Sequence, residues 1–324
     1  GLLEAGDAVA DSSYDHSHDA AIVAAMENLQ DTIDVTGYGL TTTNVEDVIH
    51  GILNMNPQLF YVSGGFRYYS DSQSNVTELL ITYNYTKTQI TSMKAEIDAE
   101  VAKMEAAIDT TGLSDVEIAL AYHDYLATDV AYDYENYLSS SLSSDDYTIY
   151  GTLVKKKAVC QGYALTFMYL MKRQNVVCGY VSSNAANHAW NVVYLNNQWY
   201  HMDATWDDPL PDRGVFAGHE YFNVTDEIMD ERHDWKQDAF PACDSTDYNY
   251  YEQNDLICDS DAFRTLLKDQ ALRNSTGTIE VVVTDYTTDF DYSFMQDVSA
   301  VQYFQYTEES YGAYELVTVY LNQR

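Results

Sequence analysis

The sequence predicts an α+β chain in three parts: a helix-and-hairpin extension over residues 1–110, a core over 111–243 and a small α+β region over 244–324. Three observations carry this. Apolar residues spaced by 3 or 4 mark a long helix before residue 110. Two alternating strands flank Asn196-Asn197, residues that tolerate the positive φ angles of a tight hairpin turn. Beyond residue 260, helical and strand-like runs alternate. The 324 residues are 46% hydrophobic and include 30 Tyr, enough for a true core and unlike a disordered acidic tail. Charge narrows the function. With 16 Lys+Arg against 51 Asp+Glu the net charge is 16 − 51 = −35. A groove that tracks phosphates needs clustered Lys and Arg, yet Arg67 is the only one of either among the first 86 residues. Nucleic acid is therefore excluded as a partner, as is electrostatic docking on an anionic membrane. No apolar run approaches the ~20 residues of a membrane span.

Residues 18–33 and 43–54 read as helices, the second opened by Thr43 or Asn44 and stopped at Asn56-Pro57. The stretch 59–70 reads as a hairpin turning at Gly64-Gly65, with a strand at 76–85 after it. Ile90, Met93, Ile97, Val101, Met104 and Ile108 then form the buried stripe of a helix over 87–109. Ser114 and Glu117 make an S-x-x-E capping box for a helix running to 129. Residues 132–147 are a serine-rich loop. After the core, 244–260 reads as loop, followed by helix 260–272, strand 278–285, helix 291–303 and strand 313–321. The four cysteines, Cys160, Cys178, Cys243 and Cys258, are too few for a disulfide scaffold, though Cys243 and Cys258 are spaced to pair in an oxidising compartment.

The chemistry concentrates between 148 and 235. In V-C-Q-G-Y-A, Cys160 opens an apolar helix, where the macrodipole and unpaired N–H groups favour the thiolate. Lys155, Lys156 and Lys157 precede it and read either as a local positive field or as a solvated charge run. Downstream, N-H-A-W-N-V-V-Y-L-N-N-Q-W-Y-H-M-D-A-T-W-D-D-P folds as a hairpin. If Asn196-Asn197 is the whole loop, paired residue numbers sum to 393, so Trp190 lies opposite Asp203 and His188 opposite Thr205. His188 and Asp203 then share a face. A carboxylate there can hold one imidazole nitrogen and leave the other for Cys160, the arrangement of nucleophile, base and orienting group.

These residues, in V-C-Q-G-Y-A, N-H-A-W-N-V-V and W-Y-H-M-D-A-T-W-D-D-P, resemble the bacterial transglutaminase-like superfamily over residues 115–240. The resemblance implies a papain-like fold, in which a helix bearing the Cys packs on an antiparallel sheet bearing His and Asp. It further implies a catalytic triad of Cys160, His188 and Asp203 that transfers acyl groups from amide bonds of proteins or peptides through a thioester, as a transamidase or a peptidase. The oxyanion would be held by the Cys160 backbone N–H. Papain-like proteases add a Gln six residues before the Cys; here that position is Val154, and Tyr150 is the substitute candidate. No cofactor is expected. The chain starts at Gly1 with no basic stretch ahead of an apolar one, so either a targeting segment has been removed or the chain has been trimmed, and with that start the resemblance implies a secreted or cell-surface bacterial protein.

Two other classes of function compete: a non-catalytic binding module that kept the fold, and a metal site built from Cys160, His188, His201 and Asp203. Trp190, Trp199 and Trp206 read as core, Asp207-Asp208-Pro209 as a turn, Asp226 as an early helix position and His233 as surface or packing. The acidic surface would attract basic substrates such as Lys-rich peptides or amines.

Overall fold

The computed structural model describes residues 14–183, 185–209 and 216–322, so Gly1 and the chain start lie outside the described residues. The architecture is α+β, with helices interleaved among a three-stranded sheet, two four-stranded sheets and a two-stranded pair.

In the first region, the helix Asp19–Glu27 is shorter than the sequence suggested. Leu29 adopts φ +56° just after it, and the β-branched Thr32–Asp34 leaves as a strand against Val76–Leu80. A left-handed residue ends a right-handed helix, so residues 32 and 33 cannot extend it. The helix Val45–Met55 stops at Asn56-Pro57 as expected. The hairpin expected at Gly64-Gly65 does not form; Arg67–Ser70 pairs instead with Val76–Leu80. Its turn is built by Asp71, whose Oδ1 accepts from the N–H groups of Gln73 and Asn75. An Asx turn of this kind pre-forms the reversal that two glycines merely permit.

Two capped helices lead into the core. Lys87–Ala107 carries a Thr86/Gln89 capping box and buries Ile90, Met93, Ile97, Val101 and Met104. Asp115–Asp129 carries the Ser114/Glu117 box. The serine-rich loop that follows contains a short helix, Tyr134–Leu138, and a 3-10 turn, Ser144–Tyr147.

The central sheet is antiparallel, in the order Cys178–Ser183, His188–Leu195, Gln198–Met202, Phe222–Val224. The hairpin register is as counted, from Leu195 opposite Gln198 to Asn191 opposite Met202, with Asn196 and Asn197 at φ +48° and +66°. It stops there. Asp203 N–H donates to the Tyr221 carbonyl (2.9 Å), and the Asp203 side chain caps the short helix Ala204–Asp207. The pairs Trp190–Asp203 and His188–Thr205 therefore do not form, and His188 is paired on its other side with Ser183.

Both faces of this sheet are buried, as side-chain alternation requires. Ala189, Val193 and Leu195 join Tyr163, Phe167 and Met171 of the helix Cys160–Arg173 in one core, which continues through the N-terminal helices to Tyr14. Trp190 and Val192 join Val181, Met229, Tyr251 and Leu316 in a second. A third core lies between the helix Ser260–Arg273 and the C-terminal sheet. In that sheet the expected helix 291–303 shrinks to a 3-10 turn, Ser293–Asp297, and Phe304–Tyr311 forms a strand with Tyr314–Leu321 around Gly312 at φ +63°. None of the four cysteines is disulfide-bonded, so Cys243 and Cys258 do not pair.

Candidate active site

Cys160 is the first residue of its helix, with Val159 at the N-cap. The opening N–H groups of a helix have no acceptor within it, so they point outward beside the sulfur. Gly162 allows this start. A Cβ at that position would lie 2.6 Å from the Asp146 carbonyl oxygen, 2.7 Å from Thr152 Oγ1 and 2.9 Å from Ala158 Cβ. The sheet holds the helix through Asn191, whose side-chain NH2 donates to the carbonyls of Ala164 (3.0 Å) and Gly179 (3.1 Å).

His188 Nε2 donates to Asp203 Oδ2 at 2.6 Å. That leaves Nδ1 for the Cys160 sulfur, which interacts with the ring by hydrogen bond and charge. Burial opposes a charged imidazole, but Asp203 and Cys160 outweigh it and raise His188 from 6.5 to about 10. Asp203 is 1% exposed. Burial would push its carboxyl up; the charge and hydrogen bond of His188, joined by His233, overcome this and hold it well below the usual carboxylate range. Its Oδ1 accepts from Trp206 N–H at 3.1 Å, so the carboxylate is fixed at both ends.

The sequence missed His233. It is buried, and its Nε2 donates to the same Asp203 Oδ2 at 2.8 Å, 30 residues away along the chain. Its ring packs against Trp206 (centroids 4.1 Å apart), Trp190 (4.9 Å) and Tyr221 (5.0 Å), and Nδ1 has no hydrogen-bond partner. Trp206 also departs from expectation. It is 45% exposed rather than core, and its ring also lies beside His188, 5.1 Å between centroids. Trp190 and Trp199 are buried as expected.

The proposed metal quartet does not assemble. His201 accepts from Trp190 Nε1 at Nδ1 (3.0 Å) and donates from Nε2 to Asp226 Oδ1 (2.7 Å), beside Cys243. Burial keeps that ring below its ordinary value despite Asp226. Asp226 does open a helix, Asp226–Asp230. Tyr150 is not brought to Cys160 either: its hydroxyl donates to Glu96 Oε2 at 2.8 Å on the Lys87–Ala107 helix. Of the three lysines, Lys155 is paired with Asp145, and Lys156 with Asp129 (2.8 Å) and Glu100 (3.4 Å). The run is largely neutralised by these acids and supplies no free positive field of three charges.

Cys160 and His188 open into a cavity of about 830 Å³. One wall comes from the core, with Gln161 and Tyr180. The opposite wall comes from the N-terminal region, through Asp47, His50, Asn54 and Phe60, and Trp235 closes another side. Tyr180 is buried; burial first, then the charge of Cys160, raises its hydroxyl far above the ordinary range, so it stays a donor.

Residues 102–204, which include Cys160, His188 and Asp203, match the family model described as the transglutaminase-like superfamily. Two solved structures are similar to part of the chain. One, a TGase, shares 16% identity at a TM-score of 0.31, covering 44% of this chain and 44% of its own. The other, a candidate cysteine protease from Cytophaga hutchinsonii, shares 16% identity at a TM-score of 0.26, covering 45% of this chain and 63% of its own. The aligned part is thus less than two thirds of either solved chain, and likeness at this level carries no argument. No curated protein matches the sequence. Motif, α+β architecture and family match agree over the part of the chain that holds the site: residues 102–204 are similar to the transglutaminase-like superfamily.

Proposed function

We propose that the protein is a cysteine acyltransferase acting on amide bonds of protein or peptide substrates. One observation carries the reading: a buried carboxylate holds one nitrogen of His188 while the other faces a helix-start cysteine in an open cavity. Cys160 attacks the amide carbonyl as thiolate, and its proton resides on His188. The tetrahedral oxyanion is received by the Cys160 N–H, with the Tyr180 hydroxyl in place of Tyr150 as the side-chain donor. His188 then protonates the leaving amine, and a thioester remains on Cys160. An incoming amine or water, deprotonated by the now neutral His188, resolves the thioester and restores the thiolate–imidazolium pair. Asp203 keeps the ring oriented and stabilises its charge.

A mixed peptide library, with and without an added primary amine, separates the two outcomes by intact mass. Amine incorporation that is lost in Cys160→Ala identifies a transamidase; cleaved peptides without incorporation identify a peptidase. Neither product, from a protein that binds peptides with the same affinity after Cys160→Ala, would make it a binding module. The acidic surface favours cationic peptides, so their kcat/KM should fall with added salt more than that of neutral ones. A secreted or cell-surface location, the expectation drawn from the family resemblance, is tested by fractionating cells that express the full-length gene.

A further inference from the structure

A second cluster of titratable groups lies where the helix Asp115–Asp129, the Ala204–Asp207 turn and the strand Thr278–Val283 meet. Asp124 Oδ1 accepts from His123 Nδ1 at 2.8 Å and from His219 Nε2 at 2.9 Å. The outer nitrogen of each ring also ends on a carboxylate: His123 Nε2 on Asp207 Oδ2 at 2.8 Å, and His219 Nδ1 on Glu280 Oε1 at 3.1 Å. We propose that this cluster is a site for a divalent transition-metal ion of the Zn²⁺ class, with His123 Nδ1, His219 Nε2 and Asp124 as ligands and Asp207 and Glu280 orienting the two imidazoles.

Four features support an ion here. The three ligating atoms lie within 4.8 Å of one another. With metal–ligand bonds of about 2.0–2.2 Å, N···O separations of 2.8–2.9 Å are those of ligands about 90° apart around one ion, and a tetrahedral ion needs the Asp124 carboxylate to move out by about 0.5 Å. Second, histidine ligands are usually fixed by a carboxylate on the outer nitrogen, and both rings have one. Third, three carboxylates, Asp124, Asp207 and Glu280, face the two rings, so a divalent cation on the inner nitrogens meets an acidic surround while the outer nitrogens keep their carboxylate partners. Fourth, the His123 and His219 side chains are 0% and 7% exposed, but that of Asp124 is 40% exposed, which leaves an entry path and room for water ligands.

The ion would join regions remote in sequence. Glu280 lies in the C-terminal sheet, where it also accepts from the Tyr251 hydroxyl at 2.6 Å. Asp207 ends the helical turn that Asp203 begins, so the ion would anchor the far end of the element that carries the triad carboxylate. None of its ligands takes part in the proposed acyl transfer.

The test is titration of the full chain, dialysed against chelator, with Co²⁺ as a Zn²⁺ surrogate. One Co²⁺ per chain should bind, with visible d–d absorption and no thiolate charge-transfer band, and Zn²⁺ should displace it. His219→Asn should abolish binding, and Glu280→Gln should weaken it about 10–100-fold. If His219→Asn does not fold, the wild-type titration and Glu280→Gln decide. Absence of stoichiometric binding overturns the proposal. So does a thiolate band, or a site that persists without His219 but disappears in Cys160→Ser or Cys243→Ser.

Discussion

At the residue scale the site turns on Asp203, one buried carboxylate that receives two imidazoles on one oxygen and a backbone N–H on the other. Its removal leaves His188 buried without its main compensating charge, so burial should bring the ring's pKa down from about 10. Asp203→Ala should therefore lower kcat/KM by on the order of 100-fold or more. The alkaline limb of the pH–rate profile, which falls as pH rises through the folded His188 value near 10, should move toward neutral. A profile unchanged in shape would contradict that role. The stability from the same shift should be complete below pH ~6.5 and lost as pH rises to about 10. His233 is argued to be a positioning residue. His233→Ala strips a donor from a buried carboxylate and should cost about 1–3 kcal/mol in chemical denaturation. His233→Gln can keep the donor and should recover part of the activity, a rescue that a purely packing role would not produce. Cys160, His188 and Asp203 were legible because each sits in a local string whose spacing carries meaning. His233 was not: it stands outside the hairpin, and only the folded chain brings it back across 30 residues.

At the element scale, strong local signals survived and weak ones were overruled. The Ser114/Glu117 capping box, the apolar stripe after residue 87 and the two-residue hairpin loop appear where side-chain spacing put them. Counting past Met202 failed because Asp203 leaves the ladder to cap a helical turn. That departure also removes the expected His188–Thr205 pair while keeping the Asp203 carboxylate on His188. The glycine pair at 64–65 lost to Asp71, and the expected helix at 291–303 shrank to the 3-10 turn Ser293–Asp297 ahead of the strand Phe304–Tyr311. The cysteine helix depends on close packing at its first turn. Gly162→Ala should push the Asp146 and Thr152 backbone and side-chain contacts apart, destabilise the fold by about 1–3 kcal/mol and slow acyl transfer by displacing Cys160. Wild-type stability and turnover in that variant would show that the packing at the nucleophile is slack.

At the scale of the whole molecule, the cavity is a joint product of two regions. The family match begins at residue 102, yet one wall of the cavity comes from residues 47–60. Under the proposed function, the segment that matches the superfamily supplies the chemistry and the preceding region shapes what reaches it. Asn54→Trp, on the N-terminal wall, should raise KM for peptide substrates while leaving the pH profile and the intrinsic alkylation rate of Cys160 unchanged. Equal loss at all three would place that wall in the machinery rather than in recognition. Composition could not show this wall, because its residues are ordinary helix and loop positions until the chain closes over Cys160.

The central claim is that Cys160 is the nucleophile and that His188 and Asp203 activate it. Mass-resolved iodoacetamide labelling of the native chain across pH tests this most directly. Burial holds the thiols of Cys178 and Cys243 far above their ordinary range and Cys258 at about 11, so they should label slowly. The account predicts selective labelling of Cys160 well below pH ~8.5, the free-thiol range, slowed at least about tenfold in both His188→Ala and Asp203→Ala. Labelling of Cys160 no faster than a free thiol, or at the same rate in all three proteins, would contradict it.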